Sequence, residues 1–214
     1  MPPVRLGLFK TFTAAFALCG LLFTQSATAN DFSKEDLKKL DQVEDYLNDL
    51  KSFAARFEQN VAGMQPSTGV FYFKRPGRFL WQYETPDPVK LVSDGGLIYF
   101  HDDSNNQTNQ VPREGIADFL TREKINLTDG KFKVEYINDR NGLLHVAIRL
   151  KDDAAGDIGN TLSLTFLKGP LQLRQITTTN QFDQPVEVLF FNIRENADLD
   201  TQIFKFTPPQ YREN

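Results

Sequence analysis

The chain has 214 residues, with 24 Lys and Arg against 28 Asp and Glu, two histidines and a single cysteine. A mildly acidic chain without a basic run excludes the electrostatic footprint of a nucleic-acid binder, and one cysteine excludes an internal disulfide framework. Nineteen phenylalanines are the compositional signal, which fits a Phe-rich core and a cavity that accepts hydrocarbon equally well.

The first 29 residues read as a cleaved export signal: Arg5 and Lys10 open it, Phe12 to Phe23 is almost unbroken apolar sequence, and Ala27-Thr28-Ala29 is a small-x-small cleavage site. The apolar run of about 12 residues falls short of the roughly 18–20 that span a bilayer. Leu18 stands where lipoprotein processing at Cys19 needs a small residue, so acylation of that thiol is not expected. Cleavage after Ala29 leaves 185 residues, 30–214, with net charge −6, fifteen phenylalanines and no cysteine. That is one exported, soluble domain, large enough to fold on its core alone.

Ser33-Lys34-Glu35-Asp36 predicts a capping box opening a helix. Leu37, Leu40, Val43, Leu47 and Leu50 then recur at steps of three and four, giving an amphipathic stripe. The period changes to two at Phe53-x-Ala55-x-Phe57-x-Gln59, so a strand follows with little linker. Further strands are predicted near 69–74, 78–84, 89–94, 97–101, 131–137, 143–150, 161–167, 171–178, 186–193 and 202–206. Pro86-Asp87-Pro88, Asp94-Gly95-Gly96, Asn141-Gly142, Lys168-Gly169-Pro170 and Gln184-Pro185 separate them, and Asn141-Gly142 suits a tight hairpin. Many strands with hairpin-length links predict an antiparallel sheet, curved or barrel-like. Ile116, Phe119 and Leu120 have helical spacing, predicting a short helix across the sheet or in its open end.

Enzyme chemistry finds little support. His101 and His145 are the two histidines, and a Cys/His pair is impossible once Cys19 is removed. His101-Asp102-Asp103 continues into Ser104-Asn105-Asn106-Gln107 and reads as a polar hairpin loop rather than a metal site; no metal and no cofactor are expected. No pair of carboxylates is nominated for acid–base work. Arg75, between Lys74 and Pro76, has two readings. It is a surface basic residue, or its rigid fork of five donors bridges carbonyls at helix ends near a cavity mouth.

The ordered blocks Gly69-x-Phe71-x-Phe73-Lys74-Arg75-Pro76-Gly77-Arg78-Phe79-x-Trp81-x-Tyr83, Leu91-Val92-Ser93-Asp94-Gly95, Leu97-x-Tyr99-Phe100 and Phe204-Lys205-Phe206-Thr207-Pro208-Pro209-Gln210 resemble the LolA family. The resemblance implies a mainly β fold with an α lid, an incomplete (unclosed) antiparallel β-barrel covered by helices around a hydrophobic cavity. It implies a periplasmic carrier that takes acylated lipoproteins from an inner-membrane ABC transporter, shields their acyl chains and delivers them to an outer-membrane, LolB-like acceptor. A monomer that is not an enzyme follows. Arg75 matches the lid-latching arginine, Phe79 and Trp81 match aromatics of the same motif, and Leu47 and Leu50 fall on the lid face of the first helix. Leu40 and Val43 extend that face; Phe71, Phe73 and Tyr83 extend the cavity wall, with Ile116, Phe119 and Leu120 over it. Leu80 departs from the family pattern, where a polar or basic residue is frequent. The helical segment around Ile116 is shorter than in many relatives, and the chain stops four residues beyond Gln210. Two other functions fit the same fold: a periplasmic lipid-sensing regulatory domain, and a lipid hydrolase for which no residues are nominated.

Overall fold

A computed structural model of the chain describes residues 32–113, 115–128, 132–150, 161–180 and 182–208. These belong to one compact unit, Phe32–Asn214; the predicted export signal, Cys19 and Gln210 lie outside the described residues. Helix α1 (Lys34–Asp49) begins at the expected capping box, where Ser33 Oγ accepts the Asp36 N–H at 3.1 Å and Asp36 Oδ2 accepts the Ser33 N–H at 3.3 Å. Leu40, Val43, Leu47 and the C-cap Leu50 are buried, but Leu37 is 45 % exposed. Helical geometry explains the difference: at 100° per residue Leu37 lies about 100° round the helix from the mean direction of the other four.

Among the described residues eleven strands follow: β1 (Ser52–Val61), β2 (Ser67–Lys74), β3 (Arg78–Thr85), β4 (Val89–Asp94), β5 (Ile98–Asp102) and β6 (Gln107–Val111), then β7 (Phe132–Arg140), β8 (Leu143–Leu150), β9 (Thr161–Leu167), β10 (Gln172–Thr179) and β11 (Pro185–Glu195). They form one antiparallel sheet in the order β6-β5-β4-β3-β2-β1-β11-β10-β9-β8-β7. Every neighbour is a sequence neighbour except β1 and β11, so the chain meanders to one edge, crosses to the other and returns. The edges β6 and β7 do not pair, and helix α2 (Gly115–Thr121) lies in the connection between them. One apolar cluster joins Phe53, Phe71 and Trp81 from one half of the sheet to Val146, Leu164 and Leu173 from the other, with both helices included. The sheet is therefore curved round its contents but not closed.

One expected strand is absent from the structure, and one observed strand was not expected. The strand expected over 202–206 is a 3-10 turn (Thr201–Phe204) followed by irregular chain, capped by Asp200 Oδ1 accepting the Gln202 N–H at 2.9 Å. Its alternating phenylalanines arise because it docks on the outer face: Phe204 and Leu199 are buried with Ala54, beside Tyr72 and Leu80. This contact also gives Leu80 its apolar partner. Strand β6 is absent from the sequence expectations because Gln-Thr-Asn-Gln-Val has no apolar alternation; it is an edge strand that, among the described residues, pairs only with β5.

Gly69 in β2 is required by space. A Cβ there would sit 2.0 Å from the Gln82 carbonyl oxygen and 2.9 Å from the Phe57 ring, at a register shift between β2 and β3. Gly69→Ala is expected to destabilise the fold by about 1–3 kcal/mol through overpacking. A lower urea midpoint with unchanged m-value is the outcome that confirms it.

Candidate functional site

Strand alternation puts every second side chain on one face, and the register shows which. Phe53 pairs Phe73, Phe73 pairs Phe79, and Phe71 pairs Trp81, so these rings share the concave face. The apolar run Val70-Phe71-Tyr72-Phe73, ambiguous in sequence, is thereby resolved: Phe71 and Phe73 are fully buried inside, while Tyr72 lies outside under the C-terminal segment. The rings form a continuous wall. Phe71 and Trp81 have centroids 4.4 Å apart, Phe53 and Phe73 stack at 5.7 Å, and Phe57 meets Trp81 at 5.3 Å. Such offset and tilted pairs add to area burial. Phe190 of β11 belongs to the same wall, 5.9 Å from Phe71, although it was not among the sequence candidates. The alternation of Val188 and Phe190 was its sequence signal.

The helices supply the opposite side. Leu40, Val43, Leu47 and Leu50 from α1, and Ile116, Phe119 and Leu120 from α2, enter the same cluster as the aromatic wall. The concave interior, expected as a cavity, is thus occupied in this state by the chain's own side chains. Tyr83 packs at the margin, its OH donating to Gln59 Oε1 at 2.9 Å and its ring edge-on to Phe57. Burial pushes the Tyr83 phenol up to about 12.

Polar ties hold this cover at a few points. Arg75 opens the β2–β3 turn; its Nε donates to the Leu120 carbonyl at 2.9 Å, and the Gly77 N–H donates to the Thr121 carbonyl at 2.9 Å. Both acceptors are at the C-terminal end of α2, where helix carbonyls lack internal partners. The guanidinium lies 5.9 Å from the centre of the Phe73 ring, and among the described residues its two Nη atoms have no hydrogen-bond partner. Burial pulls its pKa down to about 10. It remains a cation at neutral pH, held by one side-chain hydrogen bond and an aromatic face.

Arg113, which the sequence did not single out, fastens the turns on this side. It donates to Ser93 Oγ at 2.9 Å, the Gly96 carbonyl at 2.6 Å and, through Nη1, the Gly77 carbonyl at 3.4 Å; Asp118 of α2 lies 3.8 Å from it. Gly77 and Gly95 both have positive φ, and a Cβ on Gly77 would come 3.2 Å from the Gly95 Cα. The Lys-Arg-Pro-Gly and Ser-Asp-Gly blocks are therefore two turns in contact, clamped by Arg113. Between the helices, the side-chain amide of Asn48 pairs with both backbone groups of Ile125, at 2.8 and 2.9 Å, and Glu44 Oε2 accepts the Leu127 N–H at 2.8 Å. On the other flank of α1, Tyr46 OH donates to Glu195 Oε1 at 2.7 Å and accepts the Leu173 N–H at 3.0 Å; burial, chiefly, raises its pKa. Among the described residues no cluster of His, Cys, Asp and Glu is arranged to hold a metal, and no helix is long and apolar enough to cross a membrane.

An unclosed antiparallel half-barrel, with an aromatic concave wall and two helices packed into it, defines the structural class. The profile of the outer membrane lipoprotein carrier protein LolA family matches residues 48–207, and the chain belongs to that family. It is 29 % identical over 180 residues to the outer-membrane lipoprotein carrier protein of Dechloromonas aromatica, covering 79 % of this chain and 84 % of the relative. The carrier protein of Methylococcus capsulatus is 28 % identical over 158 residues, covering 72 % of this chain and 74 % of the relative. A crystal structure of an uncharacterized conserved protein from Thermus thermophilus has the same fold, with a TM-score of 0.51 at 12 % identity over 82 % of this chain and 96 % of that one.

The Tyr83 phenol binds its proton more tightly folded than at the ordinary value of 10.0. Its contribution to stability is therefore complete below pH about 10 and is lost as pH rises towards about 12. Tyr83→Phe is expected to lack that part of the alkaline stability loss. Denaturation midpoints of both proteins measured across this pH window will decide it.

Proposed function

We propose that this protein is a periplasmic lipoprotein carrier, and that the helices over the aromatic wall are its lid. Residues 1–29 direct export and are removed, leaving residues 30–214 as the carrier domain. Its cargo is acylated lipoprotein received from an inner-membrane ABC transporter and passed to a LolB-like acceptor at the outer membrane. It works as a monomer and by binding, without catalysing a reaction. The observation that carries this function is the pairing of a continuous aromatic wall with an amphipathic cover that is apolar towards the wall and tied down at few polar points.

The energetics favour an interior filled by the protein's own side chains. An acyl chain of about 16 carbons gains roughly 0.8 kcal/mol per buried methylene, or about 12 kcal/mol if fully shielded. Two or three chains in an open, ready cavity would pass the practical limit of non-covalent affinity, about 18–21 kcal/mol. Such a carrier would not deliver. Where Leu40, Val43, Leu47, Leu50, Phe119 and Leu120 already cover the wall, lipid uptake exchanges one apolar contact for another. Net affinity then falls to the difference between them. Delivery is the reverse exchange, with the lid displacing the acyl chains.

Arg75 is the latch in this scheme. Acyl chains that lift α2 break the Arg75–Leu120 bond, and the cation's preference for that bond helps drive reclosure. Arg75→Leu is expected to leave uptake of lipoprotein from inner-membrane vesicles nearly unchanged while slowing transfer to outer-membrane vesicles about tenfold, the worth of one charge-assisted hydrogen bond. Equal transfer rates for the two proteins would remove Arg75 from the mechanism. Failure of the unmodified protein to release lipoproteins from inner-membrane vesicles would remove the carrier function itself.

A further inference from the structure

Arg75 holds α2, but nothing about it holds α1 to the sheet. We propose that Tyr46 is a second latch, a positioning residue whose phenol oxygen pins α1 to the β9–β11 side of the sheet and sets how readily that helix lifts for an acyl chain. The proposal rests on the carrier function above and deepens it.

Three strands converge on this side chain. Tyr46 OH donates to Glu195 at the end of β11 and accepts the Leu173 N–H of β10, while its ring stands edge-on to Phe166 of β9, centroids 5.5 Å apart. Leu173 lies at the register shift between β10 and β9, and its N–H is directed to the phenol. On a helix of 100° per residue, Tyr46 projects about 80° to one side of the buried stripe, while Glu44 and Asn48 project about 80° and 120° to the other. The apolar stripe therefore runs between two polar flanks with different attachments. Glu44 and Asn48 bind residues 125–127, which follow α2, so they join the two halves of the lid to each other. Tyr46 joins the lid to the sheet. Lys39 also reaches Asp139 of β7, at 3.5 Å, but this partly exposed ion pair contributes little.

A groove of about 590 Å³ opens along the Tyr46 flank. Tyr46, Leu144, Pro170 and Leu171 give it apolar lining, and Lys38, Lys39 and Lys168 are among the charged residues around it. Space therefore exists beside α1 on the side where the phenol holds it. Raising that edge of the helix joins the groove to the aromatic interior, and the bonds that break first are those of Tyr46.

Tyr46→Phe keeps the ring and its packing on Phe166 but removes the hydroxyl. Hydrogen–deuterium exchange on the exported chain is expected to show amides of residues 40–49 exchanging at least about tenfold faster, with β1–β3 unchanged, because the hydroxyl's bond to the Glu195 carboxylate and its bond from the Leu173 N–H are both lost. A fluorescently labelled, dipalmitoylated cysteinyl peptide is expected to bind about tenfold more tightly, because opening the lid opposes binding less. Glu195→Gln retains an acceptor and is expected to lie close to the unmodified protein, whereas Glu195→Ala, which removes one of the two bonds, is expected to shift exchange and binding the same way by a smaller factor and to add nothing to Tyr46→Phe in the double variant. Exchange that is unchanged in α1, or faster throughout the sheet, assigns Tyr46 a purely structural part and overturns the proposal. Should Tyr46→Phe not fold, Glu195→Ala answers the same question. An unmodified protein that fails to bind the peptide counts against the carrier function, while the exchange comparison still decides the latch.

Discussion

The structure depends on one constraint: an aromatic wall too large and too apolar to face water must be covered at all times. Phe53, Phe71, Phe73, Phe79, Trp81 and Phe190 lie on one face of adjacent strands and are all buried. Apolar surface is removed from water at about 25 cal/mol per Å², with little regard for what covers it. That indifference is what a carrier needs. Leucines on a helix and methylenes on an acyl chain satisfy the wall almost equally, so the choice between them rests on small terms. The polar ties of the helices supply such terms, because each has a definite geometry and is either made or broken.

Those ties are unevenly distributed, and the distribution describes a mechanism. Strands β1, β2 and β3 are paired along most of their length, and β1 has a partner on each side. Distorting the wall would break many backbone hydrogen bonds together. The helices are fastened through Arg75 and Gly77 at the end of α2, Asn48 and Glu44 between the two, and Tyr46 at the sheet. Free energy supplied by a ligand goes to the element that yields at least cost, which in the proposed cycle is the cover. In the proposed cycle Arg75 fits this role because, among the described residues, its two buried Nη atoms have no hydrogen-bond partner. Among the described residues its guanidinium has one side-chain hydrogen bond and its pKa is lowered by desolvation, so in the proposed cycle it is a tie that can yield.

Much of this was legible in the sequence because it depends on local pattern. Capping by Ser33 and Asp36, the apolar stripe of α1 and the Asn141-Gly142 hairpin all follow from residue type and spacing, and the structure has them. The apolar candidates on both helices and the wall also come together in one cluster. What sequence could not give were contacts between distant segments. Arg113 looks like any surface arginine until two turns from elsewhere in the chain meet beside it. Tyr46 reads as an ordinary flank residue until the bulge in β10 directs an N–H at it. Phe204 and Phe206 alternate as a strand would, but the alternation records a face docked against Leu80 and Tyr72 and rings set beside Tyr99 and His101. Polar β6 had no pattern at all, since an edge strand can be held by backbone pairing alone.

The same strands carry different partners on their two faces. Inside, Phe71, Phe73 and Phe79 meet helices that the proposed cycle must move. Outside, Tyr72 and Leu80 meet Leu199 and Phe204, and the Lys74 ammonium donates to the Leu199 carbonyl at 2.8 Å. Alternation sends the two sets to opposite faces of the same strands. In the proposed cycle the helices leave the inner face while the outer segment keeps its contacts with β2 and β3. A wall braced from behind is what the proposed exchange of helices for lipid requires, since the surface offered to an acyl chain would then be the one the helices cover.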